Sequence, residues 1–167
     1  RAKGLWHLAE EKGIPQDEIE RLRDRRNDLY GTLLQEEEVV VEGVEETLKR
    51  LHGRYMMGVV TSSRKDHFEI IHKETGLLKY FDFVLTGDDC QRLKPYPDPY
   101  LKAAELSGKP KENCLVIEDT PRGLAAALNA EMRCWIVPTE LTRDCNFAGA
   151  DRILSRVSDV ADRLVSV

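Results

Sequence analysis

The chain has 167 residues, 41% hydrophobic and 33% charged, with 25 Lys and Arg against 30 Asp and Glu for a net charge of −5. That length can hold one sizeable core without disulfides or structural metals, and the acidic balance excludes a broad electrostatic footprint for nucleic acid. No apolar run approaches the roughly 20 residues of a membrane span and no signal-peptide pattern opens the sequence, so a soluble, cytoplasmic protein with a small-molecule partner is expected.

Residues 1–34 predict two helices. Leu5, Leu8 and Ala9 recur at helical spacing, Gly13-Ile14-Pro15 interrupts, and Ile19, Leu22, Leu29 and Leu33 resume after Asp17, as in a helical hairpin or part of a larger bundle. A short apolar stretch from Val39 to Val41 reads as a linker, and after Gly43 a helix places Val44, Leu48 and Leu51 on one face.

From Met56 onward the pattern changes. Short apolar runs at 57–60, 83–85, 114–117 and 134–137 alternate with helical stretches at 66–76, 98–107 and 123–129. Four such runs separated by helices imply an α/β fold built on a parallel sheet with crossover helices. Ile153-Leu154 suggests one more short edge strand, and a final helix spans 157–164. The cysteines, Cys90, Cys114, Cys134 and Cys145, form no C-x-x-C pair, so reduced and mostly buried thiols are expected rather than a disulfide framework or a zinc site.

In an open parallel sheet, ligands bind at the carboxyl ends of the strands, so the polar residues following each apolar run are the candidates for chemistry. After the first run come Thr61-Ser62-Ser63, hydroxyls ahead of a helix whose free N–H groups can hold an anion. The same residues also suit an ordinary helix cap. After the second run, Thr86-Gly87-Asp88-Asp89 carries paired acids that read as solvated loop residues bordering the site at most.

Downstream, Leu93-Lys94-Pro95-Tyr96-Pro97-Asp98 pins a lysine in a proline-rich turn, where a fixed ammonium can neutralise a phosphoryl group or an attacking carboxylate. A solvated lysine beside a helix start capped by Asp98 is the plainer alternative. At the end of the third run, Glu118-Asp119 supplies two adjacent carboxylates, hard oxygen ligands of the kind Mg²⁺ takes together with waters and phosphate oxygens. Asp119 could instead serve as a helix cap, which would leave Glu118 unexplained. Hydroxyls, a lysine and a carboxylate pair, each at a strand end, describe a phosphoryl-transfer site that lacks only a nucleophile.

These residues resemble the haloacid dehalogenase superfamily, in particular the branch containing β-phosphoglucomutase and phosphoglycolate phosphatase, over nearly the whole chain. Thr61-Ser62 resembles that family's second motif, Lys94 in Leu-Lys-Pro-x-Pro-Asp its third, and Val116-Ile117-Glu118-Asp119-Thr120-Pro-x-Gly its fourth. Gly76-Leu77, Tyr80-Phe81-Asp82 and Glu42-Gly43-Val44 match its usual wording as well.

The resemblance implies a Rossmann-like core at 39–167 and the later part of a helical cap at 1–38. It further implies that Thr61 bonds the transferring phosphoryl group with help from the Ser62 backbone N–H, that Lys94 bridges phosphate and nucleophile, and that Glu118 and Asp119 hold Mg²⁺. Arg26, in Arg25-Arg26-Asn27-Asp28-x-Tyr30, would face the substrate's second anionic group, although a solvated helix face explains it too.

The family's first motif, a strand ending in Asp-x-Asp-Gly-Thr that carries the nucleophile and the general acid-base, does not occur in these residues. It is expected upstream of Arg1, together with the core's first, central strand, and the 167 residues alone are expected to be inactive.

The complete protein is therefore expected to be a monomeric or weakly dimeric, Mg²⁺-dependent phosphohydrolase acting on a small phosphorylated metabolite through an aspartyl-phosphate. A sugar-phosphate mutase is the near alternative, and a binding or regulatory protein that has lost its nucleophile is an alternative of another class. Dehalogenation is disfavoured, because attack on carbon needs no metal.

Overall fold

The computed structural model describes residues 9–36, 40–73 and 75–165. The chain divides into two compact units, residues 1–39 and 40–167. Among the described residues no helix is long and apolar enough to cross a membrane.

In the first unit a helical stretch ends where the sequence breaks at Gly13, with the N–H groups of Gly13 and Ile14 returning to Glu10 O and Ala9 O at 3.0 and 3.1 Å. Such bonds satisfy the last carbonyls of a helix. Helix α1 then runs Gln16–Glu36. Leu5 and Leu8, expected on the preceding helix, lie outside the described residues. Ile19 is buried, whereas Leu22, Leu29 and Leu33 of the predicted apolar stripe stay exposed. A stripe becomes buried only where it meets another apolar surface.

The second unit begins with helix α2, Val44–Leu51. Strand β1 (Gly58–Val60), helix α3 (Lys65–His72) and strand β2 (Phe83–Leu85) follow. Helix α4 (Asp98–Ser107), strand β3 (Leu115–Glu118), helix α5 (Pro121–Asn129) and strand β4 (Arg133–Ile136) continue the alternation, and strand β5 (Arg152–Ile153) and helix α6 (Ser158–Val165) close it.

Helix α3 stops short of the predicted Gly76. The Thr75 hydroxyl donates to His72 O at 3.3 Å and accepts Leu77 N–H at 3.3 Å, so a side chain replaces the next turn of backbone bonding. Helix α5 starts earlier than its apolar periodicity suggests, because Pro121 suits the first helical position and Thr120 caps it, accepting Gly123 N–H at 3.0 Å.

Every strand pair is parallel, as the alternation requires. The described strands make two parallel sheets, β1-β2 and β3-β4-β5. The register pairs Val59 with Val84 in one and Ile117 with Trp135 in the other. The inner edges of β1 and β3 are not hydrogen-bonded to each other.

One core cluster joins the two sheets, with Val116, Cys134 and Ile136 against Leu124 and Ala127 of α5 and with Val60 packed at its margin. On the other face Leu51 of α2 meets Leu154 and Val160, and an ion pair of 2.6 Å from Arg50 to Asp162 ties α2 to α6. Strands that alternate buried and exposed positions present one set of side chains to each layer. Val116 and Glu118 share the buried phase on β3, which carries a charged residue inward at the strand end.

Candidate active site

Strand β1 runs out at Val60, and the N–H of Thr61 still bonds Leu85 O of β2 at 2.9 Å. The chain then turns, and Thr61 Oγ1 accepts the backbone N–H of Ser63 at 3.0 Å. A hydroxyl that accepts through a lone pair keeps its proton for another partner. The capping alternative for these hydroxyls is not realised. Arg64 precedes α3 without a side-chain cap, and the first helical N–H, from Lys65, goes to Asp88 Oδ2 at 2.9 Å.

Lys94 is buried, with 9% of its surface exposed. Its ammonium donates to Val60 O at 2.9 Å and to Glu118 Oε1 at 2.5 Å. It therefore spans the end of β1 and the end of β3, and the solvated-lysine alternative does not hold. Nζ also lies 4.8 Å from the centre of the Tyr100 ring, where the π face favours a cation. Its backbone is held from α5, since Arg122 donates to Lys94 O and Asn129 Nδ2 donates to Pro95 O at 2.9 Å. Asp98 is not the cap of α4 but its first residue, paired with Arg92 at 2.9 Å.

Glu118 has 8% of its surface exposed. Its Oε1 accepts both Lys94 and the Tyr100 hydroxyl, each at 2.5 Å, while Oε2 accepts the N–H of Asp119 at 3.1 Å and the Thr120 hydroxyl at 3.2 Å. Burial pushes this carboxyl up, but the Lys94 ammonium and the hydrogen bonds it and Tyr100 donate outweigh that effect, so the net direction is down and the group stays ionised.

Tyr100 moves the other way. Burial, then the Glu118 charge, raise its phenol far above the ordinary range and keep it a donor. Asp119 sits exposed at the strand end with its carboxyl raised by desolvation and then by the negative charge of Glu118.

The structure thus brings Lys94, Glu118 and Asp119 together, next to the turn that carries Thr61 and Ser62. Arg26 lies on α1 in the other unit, exposed, donating from Nε to Asn27 Oδ1 at 3.1 Å. Reading from the sequence missed Tyr100. Its only local signal is a position two residues after Asp98 at the start of α4, and its partner Glu118 is 18 residues away. It also underread the acids after β2. Asp89 closes a capping box, accepting Thr86 N–H at 2.7 Å and Thr86 Oγ1 at 2.8 Å, and Asp88 caps α3.

Among the described residues no three His, Cys, Asp or Glu side chains cluster as a complete metal shell. Asp119, its carboxyl at the exposed strand end and raised by desolvation and then by the Glu118 charge, nonetheless offers with Glu118 beside it a partial set of hard oxygen donors. Such a set fits Mg²⁺, which commonly takes one or two carboxylates and completes its shell with water and phosphate oxygens.

The chain is similar to several known proteins. Pyrophosphatase PpaX of Bacillus cereus (strain AH820) is 32% identical over 121 residues, which cover 70% of this chain and 55% of that protein. Validoxylamine A 7'-phosphate phosphatase of Streptomyces hygroscopicus subsp. limoneus is 35% identical over 124 residues, covering 73% of this chain and 57% of that one. The chain therefore spans little more than half the length of these relatives. The crystal structure of CbbY from Rhodobacter sphaeroides in complex with phosphate superposes with a TM-score of 0.73 at 28% identity, over 88% of this chain and 66% of that one. The match to the family described as haloacid dehalogenase-like hydrolase runs over residues 4–137, and with both motif-bearing strand ends of the core inside that span, the chain belongs to this family.

Proposed function

We propose that the chain contributes the phosphate-binding and metal-binding side of a Mg²⁺-dependent phosphohydrolase that acts on a small phosphorylated metabolite. The observation that carries this reading is the position of Lys94, whose buried ammonium spans Val60 O and Glu118 Oε1. A buried cation costs several kcal/mol of desolvation unless it is paired. One held at the meeting of two strand ends is suited to receiving an anion there.

In this reading the Thr61 hydroxyl and the Ser62 backbone N–H hold the phosphoryl oxygens. Lys94 has three N–H donors, two of them directed at Val60 O and Glu118, and turns the third to the phosphoryl group. Asp119, with Glu118 beside it, would hold Mg²⁺, which would offset charge on the phosphoryl oxygens. Fixed donors aimed at developing charge lower the barrier, because they need no reorganisation during reaction.

The nucleophile is an aspartate supplied from outside these 167 residues. It attacks phosphorus, expels the alcohol and forms an aspartyl-phosphate that water then cleaves. Residues 1–38 are the later part of a helical cap domain and 39–167 the core, and Arg26 meets a second anionic group of the substrate. One relative is named as a pyrophosphatase and another as the phosphatase of a 7'-phosphate, which supports a small phosphorylated substrate, and the complete protein acts in the cytoplasm.

The test is hydrolysis of p-nitrophenyl phosphate by the full-length protein, with and without Mg²⁺, beside Asp119→Asn. Turnover that needs Mg²⁺ and falls at least a hundredfold in the variant is expected. Turnover untouched by chelator, or wild-type rates in Asp119→Asn, would overturn the reading.

A further inference from the structure

The turn after β2, Thr86-Gly87-Asp88-Asp89, has no part in the chemistry described above, yet it contacts the candidate phosphate turn Thr61-Ser62-Ser63 at successive points. Gly87 N–H donates to Ser63 O at 2.7 Å. Asp88 Oδ2 accepts Lys65 N–H at 2.9 Å, directly beyond that turn. Thr86 is buried and closed by Asp89, which holds this turn in place.

The approach is closest at Gly87. A methyl group built there would lie 2.8 Å from Ser62 O and 3.1 Å from Ser63 O, both backbone atoms. Those distances leave no room for a side chain unless the phosphate turn shifts.

This contact reaches the hydroxyl of Thr61 through one peptide plane. In a trans peptide the carbonyl of Ser62 and the N–H of Ser63 point in opposite directions. With Ser62 O set against Gly87, the Ser63 N–H is directed to Thr61 Oγ1, which it reaches at 3.0 Å. Oγ1 receives that bond on a lone pair, so its own proton is left for an acceptor elsewhere.

We infer that Gly87 and Asp88 are positioning residues that orient the Thr61 hydroxyl as a donor to a phosphoryl oxygen. This rests on the phosphohydrolase reading for the identity of the acceptor, but the clamp itself does not. Gly87 sets the Ser62–Ser63 peptide, Asp88 fixes the start of α3 behind it, and neither touches the substrate.

The experiment uses the full-length protein with Asp88→Ala, Asp88→Asn and Gly87→Ala, p-nitrophenyl phosphate as the probe, and amide hydrogen exchange at Ser63 and Lys65. Asp88→Ala is expected to lower kcat/KM at least tenfold. Asp88→Asn, which keeps a capping oxygen, should stay within threefold of wild type. Thr61→Val should cost less in the Asp88→Ala background than in wild type, because a hydroxyl already misaligned has less to lose.

Gly87→Ala should speed exchange of the Ser63 amide. Equal losses in Asp88→Ala and Asp88→Asn, or full additivity with Thr61→Val, would overturn the inference. If wild type turns over no phosphate ester, the functional reading fails by itself, and exchange then decides the clamp: faster Ser63 and Lys65 exchange in Asp88→Ala supports it, and unchanged exchange overturns it.

Discussion

Gly123, on the first turn of α5, stands so close to Glu118 that a methyl group built on it would lie 1.9 Å from the carboxyl carbon and 2.0 and 2.1 Å from the two oxygens. The helix that follows β3 therefore packs directly on the carboxylate ending that strand. Only a residue without a side chain permits this approach. Gly123→Ala is expected to displace Glu118 from Lys94 and Tyr100, destabilising the fold by about 1–3 kcal/mol, the cost typical of overpacking. It should also lower Mg²⁺-supported turnover by more than tenfold. Thermal unfolding beside a p-nitrophenyl phosphate assay checks both, and a variant with wild-type melting and rate would refute the close packing.

Lys94 and Glu118 are both buried, so removing one leaves the other as an uncompensated charge. Breaking such a pair costs about 3–5 kcal/mol. Lys94→Met is expected to destabilise by that amount in urea unfolding, and Lys94→Met with Glu118→Gln should recover more than half of it. A double variant no more stable than the single one would show that the pair is not coupled as the geometry requires. For catalysis, loss of this one electrostatic donor should raise the barrier by about 3 kcal/mol, so a rate change under threefold would make the lysine merely structural.

Tyr100 gives its hydroxyl to Glu118 Oε1 inside the core cluster. Tyr100→Phe keeps the ring beneath the Lys94 ammonium and deletes only this bond. A buried hydrogen bond to a charged acceptor contributes about 1.5–3 kcal/mol. The expected result is a loss in that range, read from urea midpoints at neutral pH. A midpoint equal to wild type would mean that water or another donor replaces the hydroxyl.

Asp89 has its carboxyl held below the usual aspartate range by the N–H of Thr86 and then by the Thr86 hydroxyl. A folded value below the unfolded one means that the unfolded chain binds the proton more readily. The stabilisation is therefore present above about pH 4 and lost as pH falls through the folded value. In Asp89→Asn this contribution disappears. The difference between wild-type and variant unfolding midpoints should shrink from pH 5 toward pH 3, whereas a constant difference across that window would exclude the linkage.

Much of this fold is legible in the sequence because its strands are short, largely apolar runs divided by helices, and that pattern is local. The strand Phe83–Leu85 and the helix Asp98–Ser107 fall where periodicity places them. Boundaries moved where side-chain hydrogen bonds, not apolar pattern, end an element, as Thr75 does after α3 and Thr120 does before α5. The strand ends also announce their chemistry. Glu118 and Asp119 can be picked out by residue type, since paired carboxylates directly after an apolar run need a reason, whereas Thr61 and Lys94 taken singly also suit a helix cap and a solvated lysine.

What the sequence determined by itself, then, is the order of strands and helices, their parallel pairing and the polar residues at their ends, because hydrophobic period and turn chemistry act over a few neighbouring residues. Only the tertiary structure decided which of those polar groups meet. Lys94 joins Val60 O to Glu118 across 34 and 24 residues of chain, and Tyr100 reaches the same oxygen from α4. No spacing rule encodes those distances. They follow from the demand that every buried charge find a partner once the strands and helices have packed, and that demand exists only in the folded chain.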